Sequence, residues 1–399
     1  MTLDRRRFIK TAGAATAATA LSYSRILGAN DRVRIGLIGC GSRGIGNMNN
    51  FLKLNAVDVL VLCDVYGAQI ERARTAAPNA KAFRDHRHVT DMKDLDAVII
   101  AVPDHWHRVI TIDALNAGKD VYVEKPLTLT IEEGPEMVKA ARVNNRICQV
   151  GMQQRSGRHY IQAKQEFIDT NRLGKITLVR TWWHGNGFHL RRAPDSLRQQ
   201  PADLDWARFL GPLNWRDWDP QQYYNWRAYL DYGGGQVTDL FTHWIDVVHM
   251  FMGQDIPVAA SASGGVYAYK DGRTAPDTIH VLLEYPAEFT ATFEATLVPS
   301  IAGAGIEFCG TNGRLVITRQ RFEVFEPKND TPIASVQAAG SMDQDHMQNF
   351  LDSVRSRKLP NGDVLVGHRS AQASHLGNIA YLEKRRIEFD PIREAILPT

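Results

Sequence analysis

Cysteine is scarce in this 399-residue chain, and long apolar runs are missing from it. The four cysteines, at positions 40, 63, 148 and 309, are too few and too scattered for a disulfide scaffold or a zinc site. No stretch of 18 strongly apolar residues occurs, so no transmembrane helix is expected. With 44% hydrophobic and 23% charged residues, the composition excludes collagen-like and disordered classes.

A strong charge of one sign is also missing from most of the chain. The formal net charge of +3 arises in residues 1–29, which hold five Lys or Arg and one acidic residue. The remainder holds 42 basic and 43 acidic residues. A nearly neutral body gives no reason to expect nucleic acid or an anionic membrane as a partner.

The first 29 residues have the pattern of an export signal. Positions 4–10 read Asp-Arg-Arg-Arg-Phe-Ile-Lys, and an Ala- and Thr-rich stretch covers Thr11 to Leu21. Adjacent arginines before a modestly apolar stretch are typical of the twin-arginine route, so we expect a signal peptide over residues 1–29 and a periplasmic protein. The cleavage site follows either Ala20 or Ala29, and the alternative for the whole segment is a disordered basic tail.

A glycine motif follows the leader. The strand Val33–Ile38 is predicted to precede Gly39-Cys40-Gly41-Ser42-Arg43-Gly44 and a helix, and the next strand ends at Asp64. This order is typical of a dinucleotide fold, in which the first glycine permits a tight turn, the second admits the pyrophosphate and the third allows helix and strand to pack. Asp64 can accept hydrogen bonds from both ribose hydroxyls and would repel a 2′-phosphate, which favours NAD over NADP. The alternative is a glycine-rich turn in another α/β protein.

Further apolar runs alternate with predicted helices and indicate a parallel sheet. These runs are Ala97–Val102, Asp120–Val123 and Ile147–Val150. Ligands bind beyond the carboxyl ends of such strands, and His105, His107 and Lys125 all follow strand ends. From residue 258 onward, short β-rich runs separated by turn signals predict a mostly antiparallel sheet instead.

Residues 237–252 are predicted to form one amphipathic helix with an apolar stripe. Asp239, His243 and Asp246 are predicted to share a different face of it, where a carboxylate one turn from an imidazole can orient that base. The alternative is a surface helix with a capping acid and a satisfied histidine.

An aromatic-rich connection joins Trp182 to Gly235 and holds six of the eight tryptophans. Connections this long are usually functional, and aromatic faces stack on sugars. We expect Trp226, Arg227 and Tyr232 to contact substrate, together with His184; the alternative is that most of these aromatics pack the connection onto the sheet. His184 and His189 have no third ligand at metal-like spacing, so no metal site is expected.

The motifs together resemble the Gfo/Idh/MocA oxidoreductases, the family of glucose–fructose oxidoreductase and inositol dehydrogenase. The resemblance extends from about Asp31 to Asp390. The motifs that carry it are Gly39 to Gly44, Pro103-Asp104-His105-Trp106-His107, Gly118-Lys119-x-x-x-x-Glu124-Lys125-Pro126, Gly174-Lys175-Ile176, Gly233-Gly234-Gly235 and Asp239-x-x-x-His243.

The resemblance implies an α/β fold of two domains. An N-terminal Rossmann domain would cover residues 31–152, and a C-terminal α/β domain with a large, mostly antiparallel open sheet would cover residues 153–399. That sheet is often used for oligomer contacts in the family, so we expect a homodimer or homotetramer.

The resemblance also implies the site. Lys125, Asp239 and His243 would be catalytic, with His243 oriented by Asp239 and Lys125 stabilising charge on the reacting oxygen. The residues expected to hold NAD are Gly39, Gly41, Ser42, Arg43, Gly44, Asp64, Pro103, His105, His107, Glu124 and Lys125.

The expected activity is NAD-dependent hydride transfer at a hydroxyl of a sugar, polyol or glycoside. One alternative is an exported glycoside hydrolase that works by oxidation, elimination and reduction on a retained cofactor. A second alternative is a non-catalytic sugar-binding subunit, against which the intact Lys125, Asp239 and His243 argue.

Overall fold

The computed structural model describes residues 32–184, 191–300 and 303–398. The expected leader and His189 lie outside the described residues. None of the helices within these ranges has the length and apolar character needed to cross a bilayer.

The first sheet has six parallel strands. They are β1 (Val33–Ile38), β2 (Val57–Cys63), β3 (Lys81–Phe83), β4 (Ala97–Ile100), β5 (Asp120–Val123) and β6 (Cys148–Val150). Their order is β3-β2-β1-β4-β5-β6, and every neighbouring pair is parallel. The order reverses between β1 and β4, which opens a crevice at their carboxyl ends. The predicted Rossmann fold is confirmed; the sequence did not predict β3, because that strand is short and largely exposed.

Helices connect these strands and cover the sheet. They are α1 (Ser42–Lys53), α2 (Gly67–Arg74), α3 (His86–Thr90), α4 (His107–Asn116) and α5 (Glu133–Val143). Helix α1 begins directly after the glycine motif, with Gly41 as its N-cap. Its free backbone N–H groups therefore point towards the carboxyl ends of the strands.

The second sheet has ten strands and is mostly antiparallel, as predicted. Its strands are β7 (Ile176–His184), β8 (Ala259–Gly265), β9 (Thr278–Tyr285), β10 (Phe289–Thr296), β11 (Ala304–Gly310), β12 (Gly313–Ile317), β13 (Arg321–Phe325), β14 (Ala334–Gln337), β15 (Ile387–Asp390) and β16 (Ala395–Ile396). Their order is β14-β13-β12-β11-β7-β10-β9-β8-β15-β16, and β7 and β10 pair in parallel. Alternate residues of β10 are buried, so one face of the sheet packs against a core.

The remaining helices are α6 (Arg158–Ala163), α7 (Trp206–Leu210), α8 (Pro220–Tyr224), α9 (Thr242–Met252), α10 (Met342–Ser356) and α11 (Val364–Glu383). Helices α9 and α11 pack against each other and on the large sheet. In this core the rings of Phe241 and Phe293 stack with centroids 4.8 Å apart.

The prediction of one amphipathic helix over residues 237–252 is wrong. Val237–Phe241 form a π-helical turn, and the α-helix begins only at Thr242. Nearly every residue from Val237 to His249 is buried, because the segment lies between the sheet and α11. The wider turn changes the angular spacing of the side chains, and π-turns of this kind are frequent at functional sites.

Helix α10 returns from the second sheet to the first domain. Its Phe350 ring packs edge-on against Phe51 and Tyr122, with centroids 5.9 and 5.8 Å apart. Beyond its end, Arg357 forms an ion pair with the buried Asp120 at 2.6 Å. The C-terminal part of the chain therefore stabilises both halves of the molecule.

Candidate active site

A cavity of about 800 Å³ lies at the carboxyl ends of the parallel strands. Residues of both domains and of the aromatic connection line this cavity. Twelve of the predicted site residues line it: Gly39, Gly41, Ser42, Arg43, Asp64, Pro103, Glu124, Lys125, Trp226, Arg227, Asp239 and His243.

The glycine loop is shaped to admit a bulky anionic group. Gly39 has a φ of +94°, and a Cβ on it would lie 2.3 Å from the carbonyl oxygen of Ala101. A Cβ on Gly44 would lie 1.9 Å from the oxygen of Gly39. A Cβ on Gly41, in contrast, would meet no atom within 4 Å. The loop is thus packed tightly at its ends and open at the glycine that precedes helix α1, where a pyrophosphate would meet free N–H groups.

Asp64 lies at the end of β2, beside this loop. Its carboxylate accepts hydrogen bonds from the backbone N–H groups of Cys40 at 2.7 Å and Tyr66 at 2.9 Å. Burial raises the pKa of Asp64 to about 6, although these two bonds favour the ionised form. The carboxylate lines the cavity next to the phosphate loop, as a ribose acceptor should.

Glu124 holds the loop from the other side. It is buried and accepts hydrogen bonds from Arg43 Nε and Asn47 Nδ2, both at 2.8 Å. Burial opposes its ionisation, but the charges of Arg43 and Lys125 and the hydrogen bond from Asn47 together outweigh burial, so the pKa of Glu124 lies below its usual value. Glu124 therefore anchors helix α1 to the end of β5.

Lys125 follows Glu124, and its side chain contacts the second domain. Its Nζ donates to the side-chain Oδ1 and to the backbone oxygen of Asp239, each at 2.6 Å. Arg227 Nε donates to the same Oδ1 at 3.3 Å. The side chains of Lys125 and Asp239 are only 11% and 8% exposed, so this ion pair is largely shielded from solvent.

His243 lies one helical turn beyond Asp239 and lines the same cavity. Its ring stacks on Trp183, with centroids 6.2 Å apart and planes 27° from parallel. Burial, followed by the positive charges of Lys125 and Arg319, lowers the pKa of His243 well below its usual value. The imidazole is therefore neutral at physiological pH and able to accept a proton.

The contact partners of Asp239 differ from those expected. Its carboxylate bonds Lys125 and Arg227, whereas Nδ1 of His243 is buried without a hydrogen-bond partner among the described residues. Asp246, predicted on the same face, instead accepts hydrogen bonds from Arg155 Nε and the Ser370 hydroxyl and does not line the cavity. The π-turn before α9 explains the first difference, because it changes the direction of the Asp239 side chain relative to that of His243.

The aromatic connection closes over the outer part of the cavity. Its backbone bonds that of the first domain from Asp205 N to Val65 O at 2.9 Å and from Gly67 N to Asp203 O at 3.1 Å. Arg208 forms an ion pair with Asp85. The residues that it contributes to the cavity wall are Arg191, Arg208, Phe209, Tyr223, Tyr224, Trp226 and Arg227.

Some predicted site residues do not line the cavity. Tyr232 is fully buried beneath it, where its hydroxyl donates to Gln222 at 2.9 Å, so its predicted substrate contact is wrong. His105 donates to the backbone oxygen of Phe209 at 2.8 Å, and the ring nitrogens of His107 lie 2.7 and 2.9 Å from backbone oxygens of Pro126 and Val102. These histidines fix the strand ends rather than contact a ligand.

His184 also lies away from the cavity. Its Nδ1 is 2.8 Å from the hydroxyl of Ser300, and its Nε2 is 3.6 Å from Glu294. It is the last residue of β7 and pairs with Thr296 of β10, so the strand carries it past the site and its predicted substrate contact is wrong. No group of three His, Cys, Asp or Glu side chains in the described ranges is arranged to hold a metal ion.

Trp183 and Arg319 are two of the cavity residues that were not predicted. Trp183 follows Trp182 in the aromatic connection, but nothing in the sequence distinguished it from its neighbours. Arg319 lies in the turn Thr318-Arg319-Gln320 between β12 and β13, far from every motif. Only the strand order of the second sheet brings that turn to Trp183.

The fold and the site together define a dinucleotide-binding protein of two domains, with a lysine and a neutral histidine at the domain junction. Comparison with known families agrees. The model for the Gfo/Idh/MocA oxidoreductase family, NAD-binding Rossmann fold, matches residues 33–152. The model for the Gfo/Idh/MocA C-terminal domain matches residues 212–316, so that the two cover more than half of the chain. The protein belongs to the Gfo/Idh/MocA family, and its first domain is an NAD-binding domain.

Individual relatives are more distant. Glycosyl hydrolase family 109 protein 1 of Shewanella sp. (strain ANA-3) is 30% identical to this chain, over 37% of this chain and 38% of the relative. An alpha-N-acetylgalactosaminidase of Shewanella oneidensis is 29% identical over the same shares. The chain thus spans less than two fifths of the length of these curated relatives. A levoglucosan dehydrogenase solved with NADH and levoglucosan shares the fold, with a TM-score of 0.72 at 19% identity, over 90% of this chain and 99% of that one.

The contrast between two glycines tests the phosphate loop. We expect Gly41→Ala to keep the thermal stability of the wild type but to weaken NAD binding at least about tenfold, because its methyl group enters the open space of the loop. We expect Gly44→Ala to destabilise the fold by several kcal/mol, since its Cβ overlaps the Gly39 oxygen. Thermal denaturation and NAD titration measure both effects. Wild-type NAD affinity in Gly41→Ala would show that phosphate binds elsewhere.

The role of Asp64 is tested by nucleotide selectivity. We expect Asp64→Ala to lower the preference for NAD over NADP about 10- to 100-fold, because the variant loses a charge-assisted acceptor and its repulsion of a 2′-phosphate. Asp58→Ala, on the same strand but away from the cavity, is the matched control. Titration of both nucleotides provides the measurement. An unchanged ratio in Asp64→Ala would remove Asp64 as the ribose-contacting residue.

Proposed function

We propose that this protein is an NAD-dependent oxidoreductase that acts on a hydroxyl or carbonyl carbon of a sugar, polyol or glycoside. The proposal rests on one observation. At the inner end of the cavity, a lysine that is held by two hydrogen bonds is placed together with a neutral histidine. The sugar dehydrogenase fold of the levoglucosan enzyme supports the same substrate class.

In the oxidation direction, the substrate hydroxyl lies between Lys125 and His243. His243 accepts the hydroxyl proton, which its neutral imidazole can do at pH 7. Lys125 donates a hydrogen bond to the same oxygen and stabilises the negative charge that develops there. Bound NAD supplies the chemistry of accepting the hydride from that carbon. In the reduction direction, His243 returns the proton to the substrate oxygen, and Lys125 stabilises the negative charge that this oxygen carries before it is protonated.

Asp239 acts through Lys125. Its carboxylate and its backbone oxygen hold the ammonium group at two points, which limits the positions that Nζ can occupy. A preorganised cation needs little rearrangement as charge develops on the substrate. Arg227, which stacks on Trp226 with its Cζ 4.1 Å from the ring centroid, completes the wall on the substrate side.

A second candidate function is glycoside hydrolysis on a retained nucleotide. In that reaction the sugar is oxidised, loses its aglycone, gains water and is reduced again, with no net redox change. Two observations favour it: the family 109 names of the curated relatives, and the connection that closes over the outer cavity from Arg191 to Arg227. A nucleotide enclosed in this way would leave slowly and would have to be regenerated in place.

We also propose export by the twin-arginine route to the periplasm, supported by the arginines and the apolar stretch of residues 1–29. The hydrogen bonds between the aromatic connection and the first domain would keep a nucleotide enclosed, which agrees with export of the protein in its folded form. A homodimer or homotetramer through the open face of the large sheet belongs to the same proposal, since alternate residues of β10 are half-exposed there.

The catalytic assignment is tested at Lys125. We expect Lys125→Ala to lower turnover about 10³-fold or more while NAD binding changes little, because the ammonium contributes to charge stabilisation rather than to the phosphate loop. Arg227 still pairs with Asp239 in the variant, which keeps the carboxylate partnered. Lys139→Ala on the exposed side of α5 is the control. Sugar-dependent formation of NADH is the measurement, and full turnover in Lys125→Ala would exclude the assignment.

Export and nucleotide retention are tested together with the full-length chain. We expect the protein in the periplasmic fraction with about one nucleotide released per chain on denaturation, since the connection covers the cavity. A leader with Lys at positions 5 and 6 is the control and should stay in the cytoplasm. Release of free sugar from an aryl glycoside without added NAD would favour hydrolysis over dehydrogenation. Periplasmic protein free of nucleotide would contradict retention.

A further inference from the structure

We propose that the carbohydrate substrate is acidic, and that its carboxylate pairs with Arg319 while its reacting hydroxyl lies between Lys125 and His243. This inference rests on the proposed function and names the substrate class for the same site.

Arg319 reaches the site from the second sheet. It lies in the turn between β12 and β13, and its side chain lines the cavity. Its Cζ lies 4.8 Å from the centroid of the Trp183 ring, and the imidazole of His243 stacks on the same ring. The guanidinium and the proposed base therefore share one indole ring as a neighbour.

The guanidinium lacks a counterion among the described residues. Its Nε and Nη2 are closed to solvent and have no hydrogen-bond partner there. Two carboxylates whose charge acts on Arg319 are engaged with other cations: Asp239 with Lys125 at 2.6 Å, and Asp343 with Arg43 at 3.3 Å. Residues 185–190 read Gly-Asn-Gly-Phe-His-Leu and hold no acid. An unpaired shielded cation is costly, so a ligand that pairs it gains the full interaction.

The free edge of Arg319 is the edge that binds carboxylates elsewhere in this molecule. Nε and Nη2 of Arg34 donate to the two oxygens of Asp96 at 3.0 and 2.7 Å. Nε and Nη2 of Arg158 donate in the same way to Asp345 at 3.0 and 2.9 Å. Two parallel N–H groups match the two oxygens of a planar carboxylate.

The proposal requires the Arg319 side chain to rotate so that it presents this edge. The surrounding protein shields Nε and Nη2, so pairing requires the guanidinium to turn towards the cavity that its side chain lines. That turn breaks no hydrogen bond recorded for the described residues. One unpaired positive charge matches one negative charge, which favours a carboxylate over a phosphate dianion.

The substrate is thus a sugar acid, such as a uronate or an aldonate, rather than a neutral sugar. Arg319 and His243 both contact Trp183, so the acid group lies a few bonds from the reacting hydroxyl.

The test compares each of two hexuronates with the neutral hexose of the same stereochemistry, on wild type and on Arg319→Gln. For wild type we expect kcat/KM at least about 30-fold higher with the uronate, mainly through KM, as one charge-assisted bidentate contact provides. We expect Arg319→Gln to remove this preference, mainly by raising KM for the uronate. Arg321→Gln, on the same hairpin with an exposed side chain paired to Glu323, is the matched control and should behave as wild type.

Two further readouts separate this proposal from the proposed function. Binding of the uronate, measured by calorimetry on the nucleotide-loaded protein, should weaken in Arg319→Gln even if no sugar is oxidised. The melting temperature of the variant should equal or exceed that of the wild type, because an unpaired shielded charge is removed. Tighter binding of a sugar phosphate or sulfate than of the uronate would overturn the choice of carboxylate. Equal use of neutral and acidic sugars by wild type would overturn the proposal while leaving the oxidoreductase assignment intact.

Discussion

The site depends on the ion pair between Lys125 and Asp239, because that pair joins the two domains at the point where the cavity is deepest. Lys125 follows the end of a parallel strand, and Asp239 lies in the π-turn of the second domain. Their contact is shielded from solvent, so removal of Asp239 would leave the charge of Lys125 uncompensated, which typically costs about 3–5 kcal/mol. The π-turn is the conformation that presents both the carboxylate and the backbone oxygen of Asp239 to the lysine.

The inner end of the cavity is organised by charge in the same way. Arg43 pairs with Glu124 and Asp343, Arg227 joins the Lys125–Asp239 pair, and Arg319 approaches from the large sheet. Burial also acts on the titratable groups, since it raises the pKa of Asp104 and lowers that of His243. The result is an inner wall of largely paired charges with a neutral base, which suits a substrate that becomes negatively charged at oxygen as it reacts.

The aromatic connection has a structural role that accounts for most of its tryptophans and tyrosines. Trp206, Phe209 and Tyr232 are buried in a cluster of their own, and Trp206 and Phe209 stack with ring centroids 5.1 Å apart. This cluster keeps the connection bonded to the ends of β2 and β4, where it covers the outer cavity. Only its edge, which includes Trp226 and Arg227, lines the space that a substrate can enter.

Local pattern determined the Rossmann domain almost completely, because its glycine motif, strand ends and Asp64 are neighbours in sequence as well as in space. The bounds of β1, β2 and β5 follow directly from apolar runs, and the residues after these strands line the cavity as expected of a parallel sheet. The alternation of apolar and polar residues and the turn signals predicted the mostly antiparallel second sheet, but they did not predict the order of its strands. The α-helix predicted from residue spacing was wrong at residues 237–241, because a π-turn has a different number of residues per turn from an α-helix. The predicted substrate contacts of Tyr232 and His184 were wrong, because residue type alone does not distinguish a buried packing role from a ligand contact. Arg319 could be found only in the folded chain, because the pairing of distant strands, and no motif, brings its turn beside Trp183 and His243.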